Sequence, residues 1–259
     1  MGYFIGEDGL LSGVAGWYAP SMNNHRTPYS GRNFEYYSED GTLSGFFGAA
    51  VVKAAKAKGM YCYVKHFALN DQETNRGLCA TWSNEQAVRE IYLKPFETTV
   101  TDGGANAIML GMNRVGCTFS GAHRGLCTNV LRNEWGFTGM VITDAAATYS
   151  EYMNMQAGMY GGTDLWLCAM NGIFTVDGYA SNASVMQALR QSSHRILYTI
   201  ANSLIMNNVQ SGAQIVKVTP LWAKALIGVD ILIAVLFAAS LIFLILTLRM
   251  KKTKADQIQ

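Results

Sequence analysis

Over roughly the first 175 residues, short apolar runs alternate with stretches of helical pattern. Each run is only a few residues long and rich in Val, Ile, Tyr or Met, as buried parallel strands are. Helical patterns fill segments 43–58 and 83–100, and the second opens with Ser83 and Gln86 in capping-box spacing. This alternation predicts βα units built around a parallel sheet. The apolar runs occupy residues 16–19, 61–67, 105–112, 140–143 and 164–168.

The number of units limits the architecture. A β/α barrel and a doubly wound sheet both fit the alternation, but a complete eight-stranded barrel needs about 250 residues. The chain has 259 residues, and its C-terminal part follows a different pattern. A further amphipathic helix is predicted at residues 185–207. We therefore expect an α/β fold with too few units for a whole barrel.

One segment near the C-terminus is long enough to cross a membrane. Residues 231–248 read ILIAVLFAASLIFLILTL and contain no charge, which meets the ~18-residue threshold for a spanning helix. A buried core helix is the alternative, but the run is apolar on every side and a basic cluster follows it. Because basic residues favour the cytoplasmic side, we expect a single-pass helix with its C-terminal end in the cytoplasm. The cluster consists of Arg249, Lys251, Lys252 and Lys254.

This placement divides the chain into four predicted parts. Residues 1–207 form the β/α domain, 208–224 a linker, 225–248 the transmembrane helix and 249–259 a basic cytoplasmic tail. The β/α domain would then lie outside the cytoplasm and need an export signal. Its first 16 residues carry acidic side chains and no basic start, so they do not predict a signal peptide, and the natural start is expected upstream.

Composition and spacing exclude several classes of function. The net charge of +2 gives no electrostatic case for nucleic acid binding. The five cysteines contain no Cys-x-x-Cys pair, no His-x-x-x-His spacing occurs, and no glycine-rich phosphate loop is present. We therefore predict no metal site, no cofactor and no nucleic acid partner.

Polar side chains crowd the C-terminal ends of the predicted strands. The loop at residues 20–41, which contains Arg32, is too long for a mere connection and is of a kind that is often functional. The second strand ends in Lys65 and His66, and the fourth ends in Asp144. In a β/α barrel these ends form one open face, and that face carries the active site.

The residue types at this face suit a polyhydroxylated ligand. Sugar hydroxyls need both donors and acceptors, which Arg, Lys, His and carboxylates supply, and a pyranose face packs against aromatic rings. One carboxylate at a strand end could attack an anomeric carbon, and Arg32 and Lys65 nearby would keep it ionised.

Four stretches, in chain order, resemble motifs of glycoside hydrolase family 3, the β-glucosidase type. They cover about residues 5–170 and read GWYAPSMNNHRTPYSGRNFEYYSED, YVKHFALNDQETNR, NEQAVREIYLKPFE and LRNEWGFTGMVITDA. The resemblance implies a hydrolase of O-glycosyl bonds whose catalytic domain is a (β/α) TIM-type barrel, here incomplete. It also implies a β-linked glucoside or oligosaccharide as substrate.

The resemblance further implies roles for four residues. Asp144 matches the catalytic nucleophile of a retaining double displacement. Arg32, Lys65 and His66 match residues that hold hydroxyls of the sugar in subsite −1. Family members often hold the Lys-His-Phe segment, here residues 65–67, with a cis-like backbone.

The chain also departs from the family pattern. Ala145 and Ala146 follow Asp144 where Trp is common, and Met112 stands where an aromatic residue is frequent. The family's first two strands, one with a sugar-binding Asp, and its acid/base residue are expected outside this chain. We therefore expect a fragment of a domain-permuted, membrane-anchored member. Its isolated activity would be impaired, since acid/base catalysis typically contributes ~10²–10⁴-fold.

Structural alternatives accompany these assignments. Asp144 could cap a helix, and Arg32 could form an ion pair with Glu35 inside its loop. For the whole chain, the alternatives are a non-catalytic, membrane-anchored carbohydrate-binding remnant and an inactive fragment that only inserts into membranes. Loop scaffolding or core packing, rather than ligand binding, is expected of His25, Arg26, Asn70, Asp71, Glu73 and Trp166.

Overall fold

The computed structural model describes residues 1–77, 79–146, 151–168, 175, 179, 181–206 and 219–256, with side chains up to Thr247. The chain divides into two compact units, Met1–Val209 and Gln210–Gln259. The first is an α/β unit, and the described part of the second is a single long helix.

The strands of the described residues are short, and several contain only two residues. They are β1 Gly16–Trp17, β2 Tyr61–Phe67, β3 Ala80–Thr81, β4 Ala107–Leu110, β5 Arg114–Val115, β6 Thr118–Phe119, β7 Met140–Ala145 and β8 Leu165–Leu167. The α-helices are α1 Gly2–Ser12, α2 Gly41–Lys56, α3 Glu85–Ala87, α4 Lys94–Thr101, α5 Met155–Gly161, α6 Ala183–Ala201 and α7 Leu221–Asp256. Two π-type segments, Val88–Tyr92 and Gly125–Glu134, complete the helical layer.

The main sheet has five strands in the order β1-β2-β4-β7-β8, and every neighbouring pair is parallel. The spatial order of the strands follows the order of the chain without a reversal. A doubly wound sheet reverses its strand order at a switch point, so this topology excludes it and matches the sequential winding of a β/α barrel. The prediction of a parallel α/β sheet is confirmed, and the structure resolves the choice that the alternation left open.

Alternate residues of each central strand face opposite sides of the sheet. In β4, Ile108 packs in the larger hydrophobic cluster while Ala107 and Met109 pack in a second cluster. The same division holds in β7, where Val141 belongs to the first cluster and Ile142 to the second. Both faces of the strands are therefore buried, which explains why their sequence is a continuous apolar run without polar alternation.

The helix after the long loop is fixed at its start by a side-chain cap. Asp40 Oδ1 accepts hydrogen bonds from the backbone N–H groups of Thr42 and Leu43, at 2.7 and 3.2 Å. Along α2, Gly45 lies against α4: a Cβ at this position would meet the Cβ of Thr98 at 2.8 Å. Glycine at this position therefore lets α2 and α4 pack closely together.

The structure differs from the prediction in the second helical segment. Asn84, not Ser83, is the N-cap, since the Ala87 N–H donates to Asn84 Oδ1 at 2.8 Å. The π-type segment Val88–Tyr92 then separates α3 from α4. Pro95 in the first turn of α4 explains the break, because it has no N–H and its ring clashes with a preceding carbonyl inside a continuous helix.

The helices at the two ends of the first unit also differ from the prediction. Helix α1 was not predicted, because its hydrophobic residues follow no one-sided pattern. Helix α6 ends at Ala201, earlier than the predicted 207, and a 3₁₀ turn follows at Leu204–Met206. Asn182 caps α6 through Oδ1, which accepts from Ser184 N at 3.1 Å.

Helix α7 contains the predicted spanning segment. Leu221–Thr247 is 27 residues long with a mean hydropathy of 2.9, and none of its most apolar window is buried within the structure. By length and composition it is therefore apolar enough to cross a membrane. Residues 208–218 of the predicted linker and 257–259 of the predicted tail lie outside the described residues, as do the side chains of the basic cluster.

Candidate active site

The C-terminal ends of the parallel strands bring the predicted site residues together. The loop after β1 runs beside the end of β2, where Ser21 forms an isolated parallel bridge with Lys65. Asn23 then forms two hydrogen bonds with the backbone of His66. Its Nδ2 donates to the His66 carbonyl at 3.0 Å, and its Oδ1 accepts from the His66 N–H at 2.8 Å. The Lys65–His66 and Phe67–Ala68 peptide bonds are cis, as the family resemblance predicts.

Glu35 joins the two cationic residues that the sequence places at this face. Its Oε1 lies 2.6 Å from Arg32 Nε, and its Oε2 lies 3.3 Å from Lys65 Nζ. Ser21 Oγ donates to the same Oε2 at 2.8 Å. Burial disfavours the charged carboxylate, but the hydrogen bonds from Arg32 and Ser21 outweigh it and lower the pKa of Glu35.

This arrangement corrects one expectation. Arg32 and Lys65 were expected to accompany the attacking carboxylate, but among the described residues their ion pairs are with Glu35, and for Arg32 also with Glu73 at 3.6 Å. The alternative of an ion pair between Arg32 and Glu35 is therefore confirmed. Arg32 and Lys65 nevertheless stay in the site, because both lie at the same edge of the sheet.

His66 is a neutral ring fixed by Arg32. Arg32 Nη2 lies 3.0 Å from His66 Nε2, and since a guanidinium can only donate, Nε2 accepts and the ring proton resides on Nδ1. The ring is 2% exposed. Burial, together with the charges of Arg32, Lys65 and Arg76, holds the pKa of His66 well below its usual value.

Asp144 lies near the end of β7 beside His66. Its Oδ1 accepts from the Ala145 N–H at 2.7 Å. Its Oδ2 lies 3.6 Å from His66 Nε2 and 3.8 Å from Arg76 Nη1, and the side chain is 13% exposed. Among the described residues, Arg76 is therefore the cation within 4 Å of this carboxylate. The helix-cap alternative for Asp144 concerns residues 147–150, which lie outside the described residues.

Arg76 is the site residue for which the sequence predicted no role. It follows β2 in the stretch NDQETNR and also lies 3.2 Å from Glu73 through its Nε. No spacing rule connects a residue in that loop with the end of β7. Only the parallel pairing of β2, β4 and β7 brings Arg76 and Asp144 to the same edge.

Several residues for which the sequence predicts scaffolding or core packing make contacts within the chain. His25 Nε2 lies 3.0 Å from the carbonyl oxygen of Asn33, and Asp71 Oδ1 accepts from the Asn24 N–H at 3.0 Å. Trp166 packs against the hydrophobic clusters. No group of His, Cys, Asp and Glu side chains within the described residues could hold a metal ion.

Replacing Asp71 with Asn should stabilise the chain increasingly as pH rises from about 4 to about 6, and by a constant amount above that. Burial raises the pKa of Asp71 from 3.8 to about 6, against the lowering effects of the Asn24 hydrogen bond and Arg26. A carboxyl whose pKa rises on folding favours the folded state at low pH, and this contribution is lost as pH rises through about 6. The shift corresponds to up to about 3 kcal/mol at pH 8. Asparagine keeps the acceptor for Asn24 and carries no charge.

The measurement is urea unfolding of both chains at pH 4 and pH 8, in the same detergent. The two free energies of unfolding should agree at pH 4 and differ by about 1–3 kcal/mol at pH 8 in favour of Asp71→Asn. An equal difference at both pH values would contradict a buried, pH-dependent carboxyl.

Comparison with known proteins assigns the family. The profile described as "Glycosyl hydrolase family 3 N terminal domain" matches residues 1–199. The chain belongs to glycoside hydrolase family 3. The resemblance of the four sequence stretches to family 3 motifs is thus confirmed over most of the α/β unit.

Curated relatives of this family 3 chain are β-glucosidases. Beta-glucosidase A of Butyrivibrio fibrisolvens is 40% identical over 158 residues, which are 61% of this chain and 19% of the relative. A β-glucosidase of Rhizobium radiobacter is 35% identical over the same length. The chain thus spans about a fifth of the length of the curated relatives it matches.

Solved structures of β-glucosidases share the fold. β-Glucosidase 3B from Thermotoga neapolitana in complex with glucose superposes with a TM-score of 0.70 at 32% identity, over 80% of this chain and 30% of that one. A β-glucosidase from Paenibacillus barengoltzii gives a TM-score of 0.73 at 31% identity, over 84% of this chain and 25% of that one. The sheet of this chain is therefore a curled, half-barrel version of the family 3 β-glucosidase sheet.

Proposed function

We propose that this family 3 chain carries the nucleophile and part of the sugar-binding site of a retaining, β-glucosidase-like hydrolase. The observation that carries the proposal is the position of Asp144 at the strand ends, beside His66 and Arg76. Arg32 and Lys65 lie at the same edge, joined through Glu35. Such a group offers hydrogen-bond donors to sugar hydroxyls around one carboxylate.

In the proposed reaction, the Asp144 carboxylate attacks the anomeric carbon of a β-linked glucoside. The bond from that carbon to the glycosidic oxygen breaks, and the leaving oxygen takes a proton from a general acid. Water then attacks the anomeric carbon, loses a proton to a general base, and releases Asp144 and the sugar with retained configuration. Two inversions at one carbon give net retention.

The surrounding residues have separate proposed roles in this reaction. His66, neutral with its proton on Nδ1, and the cations Arg32 and Lys65 hold the sugar hydroxyls. Arg76 stabilises the negative charge of Asp144. Glu35 is not proposed as the proton donor, because its lowered pKa keeps it ionised. The proposal assigns no general acid within the described residues.

The proposal is tested with a 2-deoxy-2-fluoro β-glucoside that carries a dinitrophenolate leaving group. The fluorine slows both steps, and the good leaving group lets the first step proceed, so the covalent glycosyl-enzyme accumulates. Digestion and mass spectrometry should find the fluoroglucosyl group on Asp144. Folded chain without an adduct would contradict the nucleophile assignment. Sugar binding without an adduct would favour the non-catalytic carbohydrate-binding alternative.

For the C-terminal part we propose a linker at 208–224, a transmembrane helix at 225–248 and a cytoplasmic tail at 249–259. Helix α7 begins within that linker, at Leu221, and continues into the tail to Asp256. The length and hydropathy of Leu221–Thr247 support the helix. The order of apolar run and basic cluster supports the orientation, with residues 1–207 as an extracytoplasmic domain.

Deleting residues 219–259 is expected to release the chain from membranes into the alkaline carbonate supernatant, since no other described helix is apolar enough to cross a bilayer. Val235→Lys with Leu244→Lys is a matched variant that keeps the length of the helix but adds two charges to its apolar run. It should also be released. Extraction of the unmodified chain by carbonate would contradict a spanning helix.

Protease added to intact cells should degrade residues 1–207, and their protection would contradict the proposed orientation.

A further inference from the structure

Glu35 is the carboxylate that connects the two cations of the proposed sugar site. It ends the 3₁₀ turn Asn33–Glu35, three residues after Arg32, so a single turn of the loop brings both side chains together. Its Oε1 lies 2.6 Å from Arg32 Nε, whereas its Oε2 lies 3.3 Å from Lys65 Nζ and accepts from Ser21 Oγ at 2.8 Å. The side chain of Glu35 is therefore held by contacts with three other side chains.

The contact with Glu35 helps to fix the orientation of Arg32. A guanidinium is planar and rigid, so two hydrogen bonds from different nitrogens define the direction of its plane. Arg32 makes one such contact through Nε with Glu35 and the other through Nη2 with His66 Nε2, at 3.0 Å. Glu73 lies 3.6 Å from the same Nε, but its side chain is 48% exposed and water screens this pair. Glu35 thus supplies one of the two strong contacts that orient the guanidinium.

The contact with Glu35 also limits where the Lys65 ammonium can lie. A lysine side chain is a compact charge on a flexible stem, with three donors that can rotate. Among the described residues, the ion pair of Lys65 is with Glu35. The backbone of Lys65 is held separately, because its N–H donates to the Pro20 carbonyl at 3.0 Å and its carbonyl accepts from the Met22 N–H at 2.6 Å. Loss of the Glu35 charge would therefore free the end of the Lys65 side chain and leave the strand in place.

We propose that Glu35 is a positioning residue for sugar selectivity, which acts through Arg32 and Lys65. The proposal rests on the proposed function, because that function places a sugar at these two cations. Donors that are fixed before the sugar arrives lose little conformational freedom on binding, and they favour a hydroxyl at one position over its absence. Glu35 thereby makes the site discriminate between glucose and sugars that lack one hydroxyl group.

The experiment compares the binding of glucose with that of 3-deoxy-, 4-deoxy- and 6-deoxyglucose, by calorimetric titration of the full chain in detergent. In the unmodified chain, at least one deoxy sugar should bind about 30-fold more weakly than glucose, as expected for a lost hydrogen bond to a charged donor. Glu35→Gln keeps the size of the side chain and an acceptor oxygen but removes the charge. It should weaken glucose binding about tenfold and leave the binding of that deoxy sugar nearly unchanged, so that the preference falls to about threefold.

Glu39→Gln is the matched control, because it makes the same change at an exposed position of the same loop. It should leave all four affinities unchanged. Ser21→Ala removes the hydroxyl that donates to Glu35 Oε2 and keeps every charge, so it should reduce the preference for glucose by about twofold. This second variant keeps the test decisive if Glu35→Gln does not fold, since an unchanged preference in Ser21→Ala would then overturn the proposal.

The ratio of affinities separates positioning from general damage. If Glu35→Gln weakens the binding of glucose and of every deoxy sugar by the same factor, its role is structural and the proposal is overturned. Equal binding of all four sugars by the unmodified chain would also overturn it. The titration needs no turnover, so a reduced preference in a chain that forms no adduct would support the positioning role and contradict the nucleophile assignment alone. An adduct on Asp144 together with a full preference in Glu35→Gln would contradict the positioning role alone.

Discussion

Replacing Asp144 with Asn is expected to slow hydrolysis of a dinitrophenyl β-glucoside by about 10⁴-fold or more, because an amide oxygen is a far poorer nucleophile than a carboxylate. Asparagine has the same shape and keeps an acceptor for the Ala145 N–H, which bonds Asp144 Oδ1 at 2.7 Å. The dinitrophenolate leaves without protonation, so the rate depends on the nucleophile and not on a general acid. This choice of substrate makes the test applicable to the chain as it stands.

The measurement is the steady-state release of dinitrophenolate, followed by absorbance at equal concentrations of folded chain. Asp8→Asn makes the same chemical change at an exposed position of α1 and should leave the rate unchanged. Retention of more than a tenth of the activity by Asp144→Asn would exclude Asp144 as the nucleophile. Loss of activity in both variants would point to a general effect of charge and contradict the assignment as well.

Asp164→Asn is expected to have the largest effect on stability, lowering the free energy of unfolding by about 3–5 kcal/mol. Asp164 is fully buried between two arginines, with Arg132 Nη2 at 2.8 Å from Oδ2 and Arg195 Nη1 at 3.0 Å from Oδ1. Its Oδ2 also accepts from the Val141 N–H at 2.8 Å. These contacts join β7, the π-type segment Gly125–Glu134 and α6 at one carboxylate.

The physical reason is an uncompensated buried charge. Burial lowers the pKa of Arg132, and the charge of Asp164 opposes that effect. The side chain of Arg132 is 7% exposed, so without the carboxylate its charge has neither water nor a counter-ion. Removing one partner of such a pair costs far more than the pair contributes as a whole.

Glu134→Gln supplies the matched control in the same urea unfolding experiment. Glu134 pairs with Arg89 at 2.7 Å, but both side chains are well exposed, at 44% and 40%. Water and salt screen such a pair, so this variant should unfold close to the midpoint of the unmodified chain. Equal destabilisation by Asp164→Asn and Glu134→Gln would contradict the distinction between a buried and an exposed carboxylate.

The sequence predicts the local features well, because each depends on residues near one another in the chain. The bounds of β2 coincide with the predicted run at 61–67, since its first four residues are apolar and largely buried, and Lys65 and His66 lie only towards its C-terminal end. The uncharged run in α7 is likewise visible in the sequence, because its apolar residues are consecutive. Where a local signal misleads, another local residue explains it: Pro95 interrupts a helical pattern that periodicity extends through it.

The tertiary structure decides what depends on strand order. Both a barrel and a doubly wound sheet satisfy the alternation, and only the pairing β1-β2-β4-β7-β8 excludes the second. Arg32 and Lys65 form ion pairs with Glu35 and not with Asp144, whereas Arg76 lies beside Asp144. The sequence by itself determined the family resemblance, the strands and the apolar helix, because side-chain periodicity and motifs are written along the chain. Folding alone decided which charged side chains form pairs. The loops at the strand ends are distant in sequence and become neighbours only when the parallel sheet forms.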